Sequence, residues 1–164
     1  MKQLVLPNQI PIVQVRDSGM FDQFDNLEGF LELFPYSDRD AEFVKERVDN
    51  KIYVLWVAHA SGVPVGYLLG EPNHLPSREY TKPRFYVAER FVDKRYREML
   101  ICSRLVGITS KFARKMKRKI MYEEVDTRNE LGMKSSERLG FKEIAVERRG
   151  PQYYSLRKKS INQY

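Results

Sequence analysis

The chain has 164 residues, and 29 Lys and Arg against 22 Asp and Glu leave it a formal charge of +7. With 42% hydrophobic and 12% aromatic residues it can fill one core, which excludes a disordered, collagen-like or low-complexity chain and makes residues 1–164 a single domain. No run of about 18 apolar residues is there to span a bilayer, and Met1–Pro7 is too short and too early broken for a secretory signal, so a cytoplasmic protein without a membrane partner is expected.

Ile12 to Val15 alternates as a short strand. Asp17 and Ser18 then cap a helical pattern at Met20, Phe24, Leu27 and Leu31, which Pro35 ends. Ser37 and Asp38 open a second helix, with Ala41, Val44 and Val48 on one face and Glu42, Lys45, Glu46 and Asp49 on the other. Tyr53–Ala58 and Val63–Leu69 flank the turn cluster Ala60-Ser61-Gly62 and predict an antiparallel hairpin. From Glu71 to Pro83 three prolines and several charges predict an exposed, substrate-facing loop. A third buried strand follows at Phe85–Val92, then the basic connection Asp93-Lys94-Arg95-Tyr96-Arg97.

Ile101, Leu105, Ile108, Phe112 and Met116 form one apolar stripe and predict the longest helix, with Arg104, Lys111, Lys115 and Arg118 sharing another face. Ile120–Val125 reads as a strand and Asn129–Leu139 as a short helix stopped by Gly140. Phe141–Arg148 is another strand, and Gly150-Pro151 turns the chain into Tyr153–Leu156 before a polar tail containing Arg157-Lys158-Lys159. The order is strand, two helices, three strands, helix, strand, helix, two strands, an α/β arrangement around a mixed sheet.

Two local sequences carry a resemblance. Val92-Asp93-Lys94-Arg95-Tyr96-Arg97-Glu98-Met99-Leu100-Ile101-Cys102 joins a strand to a helix, and Asn129-Glu130-Leu131-Gly132 leads to Ser136-Glu137-Arg138-Leu139-Gly140-Phe141. With the element order, these resemble the GNAT family of N-acetyltransferases over nearly the whole chain. The first segment sits where that family has an Arg/Gln-x-x-Gly-x-Gly/Ala loop, with Arg97 keeping the opening position, Leu100 at the first glycine and Cys102 at the second small residue. The second resembles the family's Asn-x-x-Ala and Tyr-x-x-x-Gly-Phe segment, with Ser136 at the tyrosine.

The resemblance implies a twisted mixed sheet with helices on both faces, and acetyl-CoA or another acyl-CoA as co-substrate. Backbone amides of Arg97, Glu98, Met99, Leu100, Ile101 and Cys102 at a helix start would surround the coenzyme diphosphate. Amides near Phe91 and Val92 would bind the thioester carbonyl. Asn129 and Ser136 would flank the pantetheine and sulfur, with Ser136 in the place of the acid that protonates the thiolate, and Tyr122 the substitute for it. Glu89, three residues before Val92 on an apolar strand, would accept the proton of a primary amine, small or peptidic, attacking directly in a ternary complex. Dimerisation through the terminal strands also follows from the family alone.

Each of these residues has a plainer reading. Glu89 is otherwise a sheet carboxylate, solvated or paired to an arginine, Cys102 a small packed residue with little claim as a nucleophile, and Asn129 a helix cap. The single cysteine leaves no internal disulfide, and with His59 and His74 as the only histidines no zinc spacing exists, so no metal is expected. The row Arg104, Lys111, Lys115 and Arg118 is either a solvated face or a positive field for the coenzyme's 3′-phosphate or for nucleic acid. Without activity, the same fold would be a protein binding nucleic acid or a protein partner through that row.

Overall fold

Seven alternating or β-branched segments become strands in the computed structural model, which describes residues 9–75 and 82–161. They are β1 (Ile12–Val15), β2 (Val54–Ala60), β3 (Val63–His74), β4 (Arg84–Val92), β5 (Ile120–Asp126), β6 (Lys142–Arg149) and β7 (Gln152–Ser160). They form one sheet in the order β1-β2-β3-β4-β5-β7-β6, with β4 and β5 parallel and the β1–β2, β5–β7 and β6–β7 pairs antiparallel. Between them lie the helices α1 (Leu27–Leu31), α2 (Ala41–Asp49), α3 (Ile101–Lys115) and α4 (Glu130–Arg138). The mixed α/β class expected from the sequence is therefore the one observed. The chain divides into two compact units, residues through Leu69 with Glu89–Gly107, and Gly70–Ala88 with residues from Ile108 onward.

In the first unit Val15, Leu55, Val57, Tyr67, Leu68, Ile101 and Leu105 are buried. The first helix is not continuous as expected. A 3-10 turn over Ser18–Gln23 precedes α1, and between them Asn26 takes a left-handed backbone at φ 52° while its side chain accepts from the Gly29 amide. The Asp25 amide also donates to the Gly62 carbonyl at 2.9 Å, so a tertiary bond fixes the break. The cap of α2 is Asp40, accepting from the Phe43 amide at 2.8 Å, rather than Ser37 or Asp38.

Gly66 sits at a crowded junction of this unit. A Cβ there would stand 3.1 Å from Ile101 Cγ2 and 3.2 Å from both the Phe91 carbonyl and Val92 Cγ2. Its missing side chain is what lets β3, the end of β4 and the start of α3 meet, with the Asp93 amide bonded to the Val65 carbonyl at 3.0 Å.

In the second unit Phe85, Val87, Met121 and Phe141 are buried. The loop expected from Glu71 starts later, because β3 runs on through Pro72 to His74; residues 76–81 of that loop lie outside the described residues. Arg118 does not belong to a free basic row. It follows the left-handed Lys117 that ends α3, and its guanidinium donates to the Pro72 carbonyl and the Asn73 side chain.

The expected polar tail is also different: Arg157, Lys158 and Lys159 lie in β7, with Arg157 buried and bonded to the Met133 carbonyl and Glu137. Gly140 stops α4 with φ +86°, and the Phe141 amide reaches back to the Ser136 carbonyl. Among the described residues no helix is long and apolar enough to cross a membrane, and no group of three or more His, Cys, Asp or Glu is arranged to hold a metal ion.

Candidate functional site

Glu89 lies on β4 and is only 6% exposed, a carboxylate in an apolar strand that must find donors within the protein. It has three. Tyr67 on β3 donates to Oε2 at 2.9 Å, Arg39 Nη1 donates to Oε1 at 3.1 Å, and the Ser37 hydroxyl donates to Oε1 as well. Ser37 and Arg39 come from the connection between α1 and α2, where the Ser37 hydroxyl also accepts the Arg39 amide at 3.0 Å. One side chain thus both shapes that turn and fastens it to the sheet.

Burial opposes the charge of the Arg39 guanidinium, but its bond to Tyr53 and the charges of Tyr53, Glu89 and Asp38 outweigh this and hold its pKa above the ordinary value. Burial first, then the Glu89 charge and hydrogen bond, push the Tyr67 phenol up, so it stays a donor. Of the plain readings of Glu89, solvated or paired to an arginine, the pairing is present here, with Arg39 as the partner. Nothing in the sequence marked Ser37 and Arg39 as site residues, and the only signal for Tyr67 was a hydroxyl on an otherwise apolar strand.

The loop after β4 starts with Asp93, whose carboxylate accepts the Arg95 amide at 2.9 Å and its guanidinium at 2.9 and 3.1 Å. Hydrogen bonds from Arg95 lower the Asp93 carboxyl below its ordinary range. Lys94–Met99 forms a 3-10 helix, so Arg97, Glu98 and Met99 are wound rather than extended, and Arg97 Nε is tied to the Val92 carbonyl at 3.2 Å.

Leu100 has φ 56° and ψ 18°, a left-handed backbone suited to glycine, and its side chain is 67% exposed. This left-handed residue separates the 3-10 helix Lys94–Met99 from α3. The first bond of α3 runs from the Arg104 amide to the Leu100 carbonyl at 3.0 Å, so the amides of Ile101, Cys102 and Ser103 precede it and face the N-terminal end of the helix. Ile101 is buried, and the Arg90 guanidinium lies 3.5 Å from the Cys102 sulfur.

In the second unit Asn129 caps α4, its side chain accepting the Gly132 amide at 2.8 Å. Ser136 is fully buried and donates its hydroxyl proton to Glu123 of β5, which faces Arg157 across the β5–β7 ladder. Tyr122 lies under the Arg84 guanidinium, 4.5 Å from its ring centre.

No family model and no curated protein matches the sequence. The structure is similar to that of an acetyltransferase of the GNAT family from Streptococcus pneumoniae, at 15% identity over 93% of this chain and 100% of that one, TM-score 0.68. It is similar to aminoglycoside 6′-N-acetyltransferase complexed with coenzyme A, at 17% identity over 94% and 98%, TM-score 0.70. It is also similar to Arabidopsis thaliana NAA60 in complex with acetyl-CoA, at 15% identity over 94% and 99%, TM-score 0.71. At identities this low the likeness is one of fold.

Proposed function

We propose, for a chain that has the fold of the GNAT acetyltransferases, that it transfers an acyl group, acetyl in the first instance, from coenzyme A to a primary amine. The observation that carries this reading is Leu100. A leucine held in a left-handed turn costs about 1–2 kcal/mol, and here it stands at the place where the family's loop has its first glycine. Keeping that turn keeps the amides of Ile101, Cys102 and Ser103 pointed out of α3, where the helix dipole and a nearby Arg97 favour a diphosphate.

In this reading the amine nitrogen attacks the thioester carbonyl directly. The new C–N bond forms as negative charge gathers on the carbonyl oxygen, which backbone amides near Phe91 and Val92 stabilise. The amine proton passes to Glu89, through water where Arg39 and Ser37 keep the carboxylate from direct contact. The C–S bond then breaks and the thiolate leaves. Ser136, expected beside the sulfur, is fully buried with its hydroxyl on Glu123, and Asn129 serves as the cap of α4, so water supplies the thiol proton. A coenzyme thiol, with a pKa like that of a free cysteine near ~8.5, is a good enough leaving group for this.

The test is release of free thiol from acetyl-CoA in the presence of primary amines. Amine-dependent release that falls on replacing Glu89 with Gln supports the reading. Saturable coenzyme binding with no amine-dependent release from any amine overturns the catalytic part of it.

A further inference from the structure

We infer that the acceptor of this site carries an apolar or aromatic group next to its amine, held against the rings of Phe34, Tyr36 and Phe91. The inference rests on the reading of Glu89 as the group that receives the amine's proton. Glu89 and Phe91 are two apart on β4 and so share one face of the strand. Phe91 packs on Phe30 at 5.6 Å, on Tyr67 at 6.1 Å and on Phe34 at 6.1 Å, and Phe34 continues the row to Tyr36 at 5.9 Å. Tyr67 belongs to both halves of this wall, since its ring touches Phe91 while its hydroxyl holds Glu89.

Phe30 and Tyr67 are buried and form the fixed base of the row, Phe34 and Phe91 are half-buried, and Tyr36 is 41% exposed. The row ends on the connection Leu33-Phe34-Pro35-Tyr36, four consecutive apolar or aromatic residues at the surface of a chain that is 31% charged. A surface of this kind next to a carboxylate fits a ligand that is cationic at one point and apolar beside it.

The fixed charge nearest to Glu89 is positive. Glu32, Asp38 and Asp40 of the same connection are exposed and keep their charge, each taking one bond, from the Ala41 amide, Arg39 and the Phe43 amide. The Arg39 guanidinium stands 3.1 Å from Glu89 itself. A second ammonium group immediately beside the reacting amine would meet that fixed positive charge, whereas an apolar neighbour in the same place meets the rings. The amino terminus of a peptide with a large apolar first residue and an arylalkylamine share this chemistry.

The experiment compares peptides identical except for a first residue of Phe, Met, Gly or Asp with phenethylamine, spermidine and an aminoglycoside, using thiol release from acetyl-CoA. The expected result is a kcat/KM at least about tenfold higher for Phe- or Met-first peptides, or for phenethylamine, than for Gly-first peptide and the polycations. Whichever of peptide and phenethylamine is preferred identifies the source of the amine.

Tyr36→Ala, at an exposed position, should raise KM for the apolar acceptors about tenfold and leave coenzyme affinity unchanged, and Tyr36→Phe should restore it. Preference for the polycations, or apolar acceptors indifferent to Tyr36→Ala, overturns the inference. Should no amine turn over, the acyltransfer reading fails on its own. The acceptor inference is then decided by titrating the same peptides into the coenzyme-saturated protein, where tighter binding of the apolar-first peptides supports it and equal or reversed order contradicts it.

Discussion

Leu100 and Glu89 bear on function in different ways. The strain at Leu100 is local, so it can be removed by one substitution. Leu100→Gly should raise stability by about 1 kcal/mol in urea unfolding, as the left-handed backbone is free to glycine and the exposed leucyl side chain has little packing to lose. It should also tighten coenzyme binding in calorimetry, because an isobutyl group leaves the edge of the amide cradle. A drop in stability would show instead that the side chain is a packed contact. Glu89→Gln keeps the shape of the group and, through its one carbonyl oxygen, the bonds from Ser37 and Arg39, but it loses the acceptor that faces Tyr67 and cannot take a proton. Turnover should fall about 10²-fold or more, with acetyl-CoA affinity unchanged.

Two other carboxylates contribute to the acid sensitivity of the fold. The Asp93 carboxyl is lowered by hydrogen bonds from Arg95 and the Asp126 carboxyl by those from Arg128, each from an ordinary value of 3.8. A group whose folded pKa is depressed stabilises the protein above its unfolded pKa and loses that contribution as pH falls through the folded value. Melting temperature should therefore drop as pH is taken below about 4, and the double variant Asp93→Asn, Asp126→Asn should show a shallower drop over that window.

At the scale of elements, β4, β5, α3 and α4 were legible because their signals are local. The stripe from Ile101 to Met116 has a helical period, and Leu139-Gly140-Phe141 ends α4 through the conformation of one glycine. The misreadings have equally specific causes. Pro72 looked like a break, but β3 continues through it to His74. The charges of Arg157, Lys158 and Lys159 looked like a solvated tail, yet β7 carries them on alternate faces and α4 covers Arg157. The split before α1 depends on a bond from Asp25 to Gly62, remote in sequence.

The partners of Glu89 were hidden for the same reason. Ser37, Arg39 and Tyr67 lie 52, 50 and 22 positions away, and no periodicity links them. The junction of β3, β4 and α3 gives an element-scale prediction. Gly66→Ala must move Ile101 or the end of β4 by a few tenths of an ångström and should cost about 1–3 kcal/mol in thermal or urea unfolding. An unchanged midpoint would mean that this junction yields easily, and the amides near Phe91 and Val92 would then lack the fixed position the chemistry needs.

For the molecule as a whole, the charge of +7 is divided between work already visible in the structure and work assigned to a ligand. The ion pairs of Arg39, Arg128 and Arg157 cancel within that sum and leave it at +7, whereas Arg118 is held by two neutral partners, the Pro72 carbonyl and the Asn73 side chain. The most direct test is calorimetric titration of the intact protein with acetyl-CoA at low and high salt. An amide cradle at the start of α3 predicts a single saturable site whose affinity weakens as salt screens the coenzyme's phosphates. No heat at millimolar coenzyme, with no rise in melting temperature, would contradict it.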